Sequence, residues 1–348
     1  GSYTRLYRFK NGQITTWDSS TGVSPLGANC IYQDRNGVMW IGTPEGLSRM
    51  TNGIIANYTT ADGLPSNEVY SVAQDDAGTI WAGTSAGLAR YEDGKFLKIP
   101  QPRLAGIQTL YQDRRGLLWI GTGYGEIFTY DSGTFTTWRP DLNNGAGVFW
   151  FHHDRADNFW IGRGGKLLQG PREGIIDSVA HEYLTSISTK CCHEEQDGTL
   201  WLGTAGNGLY RFQNGVFKAY TTRDGLFDNY VWSILEDGNG YLWMSSDQGI
   251  WRIHKQDFSD YDAARINKLV CTAYGKSEGL KTKEGNSWGF PKAWKNSAGE
   301  LWFPMVQGVA TVNPEQQVVN TLPPPVHLEE IWVDTVKFQW RRNNVIHP

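Results

Sequence analysis

Two short stretches gather most of the residue types that do chemistry. His152-His153-Asp154 and Cys191-Cys192-His193-Glu194 set imidazole, thiol and carboxylate groups side by side, which is the donor set of a zinc site. A metal needs those groups to converge. Neighbours on a strand point to opposite faces, so His152 and His153 do not readily face one ion. The pattern therefore reads as structural, with cysteines buried as small apolar groups, and neither a metal nor a cofactor is expected. His152 or His193 with Glu194 or Glu195 could instead form an acid/base pair, provided a fold brings them within hydrogen-bond reach. No spacing demands that, and no catalytic residue is assigned. The four cysteines, Cys30, Cys191, Cys192 and Cys271, include no C-x-x-C pair and are too few for a disulfide scaffold.

Tryptophan is the other suggestive type, because its face stacks on sugar C–H groups. The 348 residues include 16 Trp and 41 Gly, the latter well above the usual ~7% of residues. Seven of the tryptophans sit in one recurring phrase, D-x-x-G-x-x-W-x-G-T followed by a turn and Gly-Leu. It reads DRNGVMWIGTPEGL from Asp34, DDAGTIWAGTSAGL from Asp75 and DRRGLLWIGTGYGEI from Asp113. Weaker copies start at Asp154, Glu195, Asp237 and Asn296. The repeat tryptophans are Trp40, Trp81, Trp119, Trp160, Trp201, Trp243 and Trp302, spaced by 41, 38, 41, 41, 42 and 59 residues. A residue copied into every unit is packing. The single Asp of each turn lacks the several oxygens a Ca²⁺ loop needs and reads as a side-chain-to-backbone turn bond.

A period near 40 with several strands per unit points to a propeller. In the second unit Asn67 to Gln74 alternates as a strand and Asp75 to Gly78 turns. Thr79 to Thr84 is apolar on both faces, as expected of a sheet covered on both sides, and Leu88 to Tyr91 and Lys95 to Ile99 flank the hairpin signal Glu92-Asp93-Gly94. The fold class is therefore all-β: a seven-bladed β-propeller of four-stranded antiparallel blades. Hairpins of third- and fourth-strand type number eight. The surplus one, Leu6 to Phe9 and Ile14 to Trp17 around Asn11-Gly12, is expected to complete the blade of Trp302 and close the ring. It equally fits a chain cut from a longer propeller array. The long last interval holds an insert, His254 to Lys283, whose DFSDYDAARI reads as a short helix. Residues 1–320 form the propeller. In 321–348 a Pro triplet, Pro323-Pro324-Pro325, is a stiff linker, and Val326 to Phe338 alternates as the first strand of a further domain.

The charge balance, 32 Lys and Arg against 36 Asp and Glu for a net −4, does not suit a nucleic-acid partner. No run of about 18 apolar residues marks a membrane segment. No signal peptide is visible, and Gly1-Ser2 reads as a cloning scar, so a native leader could have been removed.

These repeats, with Gly63-Leu64-Pro65-x-Asn67 and the Gly-Leu-x-Arg-Tyr strands, resemble the two-component regulator propeller family. The C-terminal stretch resembles that family's last blade: Tyr274-Gly275, Glu278-Gly279-Leu280, Trp294, Gly299-x-Leu301-Trp302-Phe303-Pro304 and Gly308-Val309-Ala310-x-Val312-x-Pro314. Leu322 to Val326 followed by Glu329-Glu330 is similar to the entry into the Ig-like domain behind such propellers. Where the family often carries an Asn-Gly-Gly-like stretch, this chain has Gly285-Asn286-Ser287-Trp288-Gly289. The resemblance implies an extracytoplasmic sensor domain, periplasmic or extracellular, of a membrane-anchored bacterial histidine kinase or hybrid two-component protein. It implies relay through the Ig-like domain and a membrane helix to a cytoplasmic output. Several family members sense oligosaccharides, so the expected partner is a small polar ligand such as a saccharide. This chain carries no kinase motif and is expected to bind rather than catalyse, with homodimerisation belonging to the full receptor.

In a propeller the loops entering first strands and the loops between second and third strands share one rim, and their non-repeated side chains carry individuality. Those are Glu45, Asn67, Tyr124, Arg163, Asn207, Asp247, Trp288 and Gln307, with Trp150 and Tyr230 near the channel. Trp232 also breaks the repeat. Two other functions fit the same fold: a propeller enzyme of lyase or lactonase type, and a platform for protein interaction or dimerisation.

Overall fold

In five of the repeats the central turn is built by its aspartate: Asp34, Asp75, Asp113, Asp154 or Asp237. In the computed structural model, which describes residues 14–101, 104–138, 145–171, 177–178, 186–316, 331–333 and 336–338, Asp34 Oδ1 accepts from the backbone N–H groups of Asn36 and Val38. Its Oδ2 accepts from the indole Nε1 of Trp40 at 2.9 Å. The glycine at the fourth position, Gly37, has φ +80°, a conformation only glycine adopts without strain. The acid thus closes the turn between first and second strands and fixes the tryptophan that fills the gap between blades.

Seven four-stranded antiparallel sheets result. Blades 1 to 6 span 30–58, 69–98, 107–137, 148–178, 189–220 and 233–274. Blade 7 takes three strands from 294–312 and its fourth from the N-terminal side, where Ile14–Trp17 pairs antiparallel with Val309–Val312, Ile14 opposite Val312 and Trp17 opposite Val309. The ring closure expected from the surplus hairpin is therefore present. The other strand of that hairpin, Leu6 to Phe9, lies outside the described residues. Trp17 stacks on Trp302 at 5.9 Å and 16°, which joins the two chain segments through side chains as well.

First strands of successive blades touch one another and surround the axis. The second strands are buried throughout in blades 1, 2, 3 and 5, as a strand covered on both faces must be. The glycine two residues after the repeat tryptophan in blades 1 to 5 is set by close approach. A Cβ on Gly203 would lie 2.5 Å from Cys191 Sγ in the first strand of its own blade and 2.6 Å from the Val231 carbonyl at the entry to the next. Neighbouring blades are stitched through their turns: the backbone N–H of Arg35 donates to Gln74 Oε1, that of Arg155 to Glu194 Oε1, and that of Ser297 in blade 7 to Gln33 Oε1 in blade 1.

The insert after the third strand of blade 6 begins with helix α1, Lys255–Asp262. Phe258 is its buried anchor, 4.6 Å from the ring of Trp201 and 4.8 Å from that of Tyr220. Asp262 receives Arg211 and the Tyr220 hydroxyl.

By contact, residues 316–348 form a separate small unit. Val326 to Phe338 does not make a single strand. Its described residues pair as a hairpin, Ile331–Val333 against Val336–Phe338. Val333 faces Val336, which leaves two residues between the strands, the commonest hairpin spacing.

Candidate functional site: the axial channel

The loops expected to share a rim do so. Backbone bonds run from Gly106 to Ser85, from Gly123 to Gly106, from Gly164 to Gly147 and from Val231 to Thr204, each joining a strand-connecting turn to a loop entering a first strand. On this rim Tyr124 is 66% exposed and Trp288 57%. Glu45, Asn207 and Gln307 are exposed as well. Glu45 Oε2 accepts from Ser24 Oγ at 2.6 Å. Tyr230 and Asp247 meet through Trp232, whose ring lies 5.3 Å from that of Tyr230 and whose Nε1 donates to Asp247 Oδ1 at 2.8 Å.

Three expected contact residues turn out otherwise. Trp150 is wholly buried. It stands four residues before the turn acid, where other blades have Cys30, Ser71, Thr109 or Cys191, and its indole covers Gly162 so closely that a Cβ there would lie 2.0 Å from Nε1. It packs blade 4 against blade 5. Arg163 is also buried. It replaces the Thr whose hydroxyl bonds the turn in other blades, and its guanidinium donates to the Ala146 carbonyl. Asn67 is exposed but not individual. Its Oδ1 accepts from Thr60 N–H, and Asn229 bonds Thr222 in the same way before blade 6. It belongs to a loop cap that occurs twice.

Deeper in the channel the first strands of blades 2 to 5 share an irregularity. Each has a one-residue register shift, at Tyr70, Gln108, Phe149 and Lys190. A bulge re-aims the extra side chain, so four successive blades each present one re-aimed residue. Two of them meet: Lys190 Nζ sits 3.4 Å from the centroid of the Phe149 ring. Lys292, on the segment entering blade 7, brings a second ammonium to the same ring at 5.6 Å. Lys292 is 4% exposed and its Nζ has no hydrogen-bond partner. Burial, and then the charge of Lys190, pushes its amine down to about 7. Burial alone brings Lys190 to about 8.

At the end opposite the rim, among the D-x-x-G turns, the channel holds a cavity of about 560 Å³ lined by Tyr32, Tyr111, Gln112, Cys192, Trp294 and Lys292 among others. His193 and Glu236 also line it. His193 Nε2 lies 3.2 Å from Glu236 Oε2, and His152 Nε2 lies 3.1 Å from Glu194 Oε2. Each pair thus joins adjacent blades. Glu236 also receives Lys255 Nζ. The hydrogen bond from His193, then that from Lys255, holds its carboxyl at about 2. The two stretches thus meet at one point, where His152 reaches Glu194, the pairing the sequence left open, but they do not converge as a metal site: His153 turns to Asp157 and Cys191 to Gly203. Among the described residues no three His, Cys, Asp or Glu side chains gather as a metal site.

The bulge residues and Lys292 are absent from the sequence expectations. The bulge position, five residues before the turn acid, was open to inspection in Tyr70, Gln108, Phe149 and Lys190. No motif marks Lys292.

Seven four-stranded blades around an axial channel define a β-propeller protein. The two-component regulator propeller model matches residues 22–45, 63–86, 104–124 and 225–248, which carry the turn and tryptophan of blades 1, 2, 3 and 6. Four copies of that family's repeat are thus present in this chain, in blades 1, 2, 3 and 6. Among solved structures it is similar to the extracellular domain of a putative hybrid two-component system from B. thetaiotaomicron, at 24% identity and a TM-score of 0.72 over 87% of this chain and 41% of that one. A putative one-component system of the same organism gives 19%, 0.69, 87% and 40%. Virginiamycin B lyase from Staphylococcus aureus gives 16% and 0.64, over 86% of this chain and 98% of the lyase. These similarities establish the propeller fold. The chain spans about two fifths of the two bacterial extracellular domains. No curated protein sequence matches.

Proposed function

We propose that this chain is the extracytoplasmic, ligand-sensing propeller of a membrane-anchored bacterial two-component receptor, and that its rim binds a small polar ligand, a saccharide first among candidates. The observation carrying this reading is the set of exposed aromatics at non-repeated positions of one rim: Tyr124, Tyr230 and Trp288, among the exposed polar groups of Glu45, Asn207, Asp247 and Gln307. Aromatic faces bury large area at low entropy cost, and polar neighbours fix orientation. Such faces otherwise belong inside a propeller, as the seven repeat tryptophans are. The family repeats and the similarity to extracellular domains of two-component systems support the sensor role. The Pro triplet and the hairpin that follows support a junction to an Ig-like domain through which the signal would pass.

On this reading the chain binds and does not catalyse. Of the two His–Glu pairs, the one on the cavity leaves Glu236 ionised and doubly bonded, a poor proton acceptor at neutral pH. A thermal-shift screen of neutral and acidic oligosaccharides tests the reading, since a ligand held only by the folded chain stabilises it by RT ln(1 + [L]/Kd). The reading expects a concentration-dependent rise that Trp288→Ala and Tyr124→Ala weaken. Turnover of a bound compound would overturn it in favour of an enzyme.

A further inference from the structure

The channel carries uncompensated positive charge. Of the residues lining its cavity, Arg35, Lys292 and Lys295 are cationic and Glu236 is the only acid. Glu236 is already engaged by His193 and Lys255. Lys295 uses its Nζ on the Glu236 carbonyl and Arg35 pairs with Asp76 at the surface. That leaves Lys292, buried and without a hydrogen-bond partner, and Lys190 on the same aromatic ring. Neither lysine forms an ion pair among the described residues. A buried ammonium without partner is strongly unfavourable. One aromatic face compensates part of one charge and cannot compensate two.

Second, the two amines are placed rather than stranded. Lys190 is the extra residue of a bulge, a device that re-aims a side chain and recurs beside binding sites. Lys292 reaches the Phe149 ring from another blade's entry segment. A cavity of about 560 Å³ falls within the range of small-molecule sites, ~300–1,000 Å³. Lys292 is the amine on its wall, with Lys190 and Phe149 behind it, and the same wall offers Tyr32, Tyr111, Gln112 and Trp294, groups that bond hydroxyls and cover a ring.

We infer that the channel binds a small ligand through an anionic group, a carboxylate or a sulfate, seated between Lys292 and Lys190 over Phe149. The inference rests on the reading of this chain as a ligand receptor and adds the charge of the ligand and a second place of contact, inside the ring rather than on the rim. A carboxylate or sulfate matches two adjacent ammonium groups with charge-assisted hydrogen bonds, and supplies the partner that Lys292 lacks.

The test compares D-galacturonate, inorganic sulfate and neutral D-galactose by isothermal titration and thermal shift on the native chain, Lys292→Met and Lys190→Met. Galacturonate should bind, and Lys292→Met should weaken it at least tenfold while the variant keeps a native melting transition. Lys190→Met, at a half-buried position, should weaken it less and guards against a folding failure at Lys292. Sulfate binding alone, lost in both variants, supports the anion seat with sulfate as the preferred group. Galacturonate binding alone, lost likewise, supports it with a carboxylate. Galactose and galacturonate binding equally, with neither lysine mattering, would overturn the anion seat and leave the receptor reading standing. Failure of all three probes to bind would overturn the anion seat, while the receptor reading stands or falls separately on the oligosaccharide screen.

Discussion

Asp154 Oδ2 accepts the indole N–H of Trp160 at 2.7 Å while Oδ1 accepts two backbone N–H groups of its own turn. The same acid-to-indole bond joins Asp34 to Trp40, Asp75 to Trp81, Asp113 to Trp119, Glu195 to Trp201 and Asp237 to Trp243, at 2.5 to 2.9 Å. In the five blades with aspartate one carboxylate therefore builds the turn and fixes the residue that fills the space to the next blade, whereas in blade 5 Glu195 holds the indole and Asp197 accepts the turn N–H of Thr199. Asp154→Ala should destabilise the chain by roughly 3 kcal/mol, since bonds to a charged acceptor contribute ~1.5–3 kcal/mol and the indole is left buried and unpaired. Urea denaturation measures this. A loss below about 1 kcal/mol would mean that the turn holds without its acid.

Blade 7 lacks the bond. Asn296 stands where the acid should be, its Nδ2 donates to Glu300 Oε2, and Trp302 Nε1 has no partner. Replacing Asn296 by Asp supplies the missing acceptor but sets it against Glu300. Blades 2 and 5 carry Thr79 and Thr199 at the place of Glu300. The double substitution Asn296→Asp with Glu300→Thr should therefore stabilise the propeller by about 1 kcal/mol, the net value of one hydrogen bond. Asn296→Asp alone should gain less. Equal melting temperatures for the double variant and the native chain would refute the pairing.

The blades were legible because six of the seven repeat a local bond, with the tryptophan six positions after the acid wherever the blade lies, while the surplus strand Ile14–Trp17 fitted two uses, of which the fold realises ring closure. The site was less legible because its residues depend on what other blades do. Trp150 looked individual beside Cys30, Ser71 and Thr109, and its burial follows from Gly162 and the adjoining blade. Asn67 could have been recognised as a cap, because Thr59 to Asn67 and Thr221 to Asn229 share Thr-Thr-x-Asp-Gly-Leu-x-x-Asn. A bulge leaves no trace in spacing when the blades compared share it, so Lys190 looked like any first-strand residue. Lys292 lies where the repeat lapses, and only the folded ring brings it to Phe149.

Trp150 and Gly162 make one packing unit, which gives a test of the burial that removed Trp150 from the ligand contacts. Gly162→Ala places a methyl group against the indole and should cost ~1–3 kcal/mol by overpacking. Trp150→Ala should cost ~3–5 kcal/mol by leaving a cavity. Because the two side chains compete for one space, the double variant should be less destabilised than the sum. Strict additivity in chemical denaturation would separate the two residues.

The ring closes through one four-residue strand. Trp17→Ala removes the stacking partner of Trp302 and, since Trp17 is only half-buried, should cost ~2 kcal/mol, below the range for a fully buried tryptophan. Deleting residues 1–17 should do more, because the backbone groups of Val309–Val312 that bond Ile14–Trp17 become an open sheet edge and a template for association. A lowered unfolding midpoint together with concentration-dependent light scattering is the expected result. A truncated chain that stays monomeric with an unchanged midpoint would show that the closure is dispensable.

Lys292 makes stability depend on pH with a defined sign. Its amine titrates at about 7 in the folded chain and near the ordinary ~10.4 when unfolded. Between those values the unfolded chain binds a proton that the folded chain does not, so stability rises with pH across that window. Below about 7 the folded chain carries the full burden of a buried ammonium. The groups bearing on Lys292 are Lys190 and the Cys191 thiol. Lys190 titrates at about 8 and adds to the same trend, whereas burial holds the Cys191 thiol at about 12, so it stays neutral. Cys192 is likewise raised by burial, and His193 and Glu236 share the cavity as a closed pair. Lys292→Met should therefore be more stable than the native chain near pH 6, with the difference shrinking steadily to pH 10. An anion seated between the lysines favours their charged forms, so galacturonate or sulfate should bind more tightly as pH falls from 9 to 6 and should flatten the native stability profile. A Lys292→Met advantage that does not change with pH would show that the amine is not the titrating group.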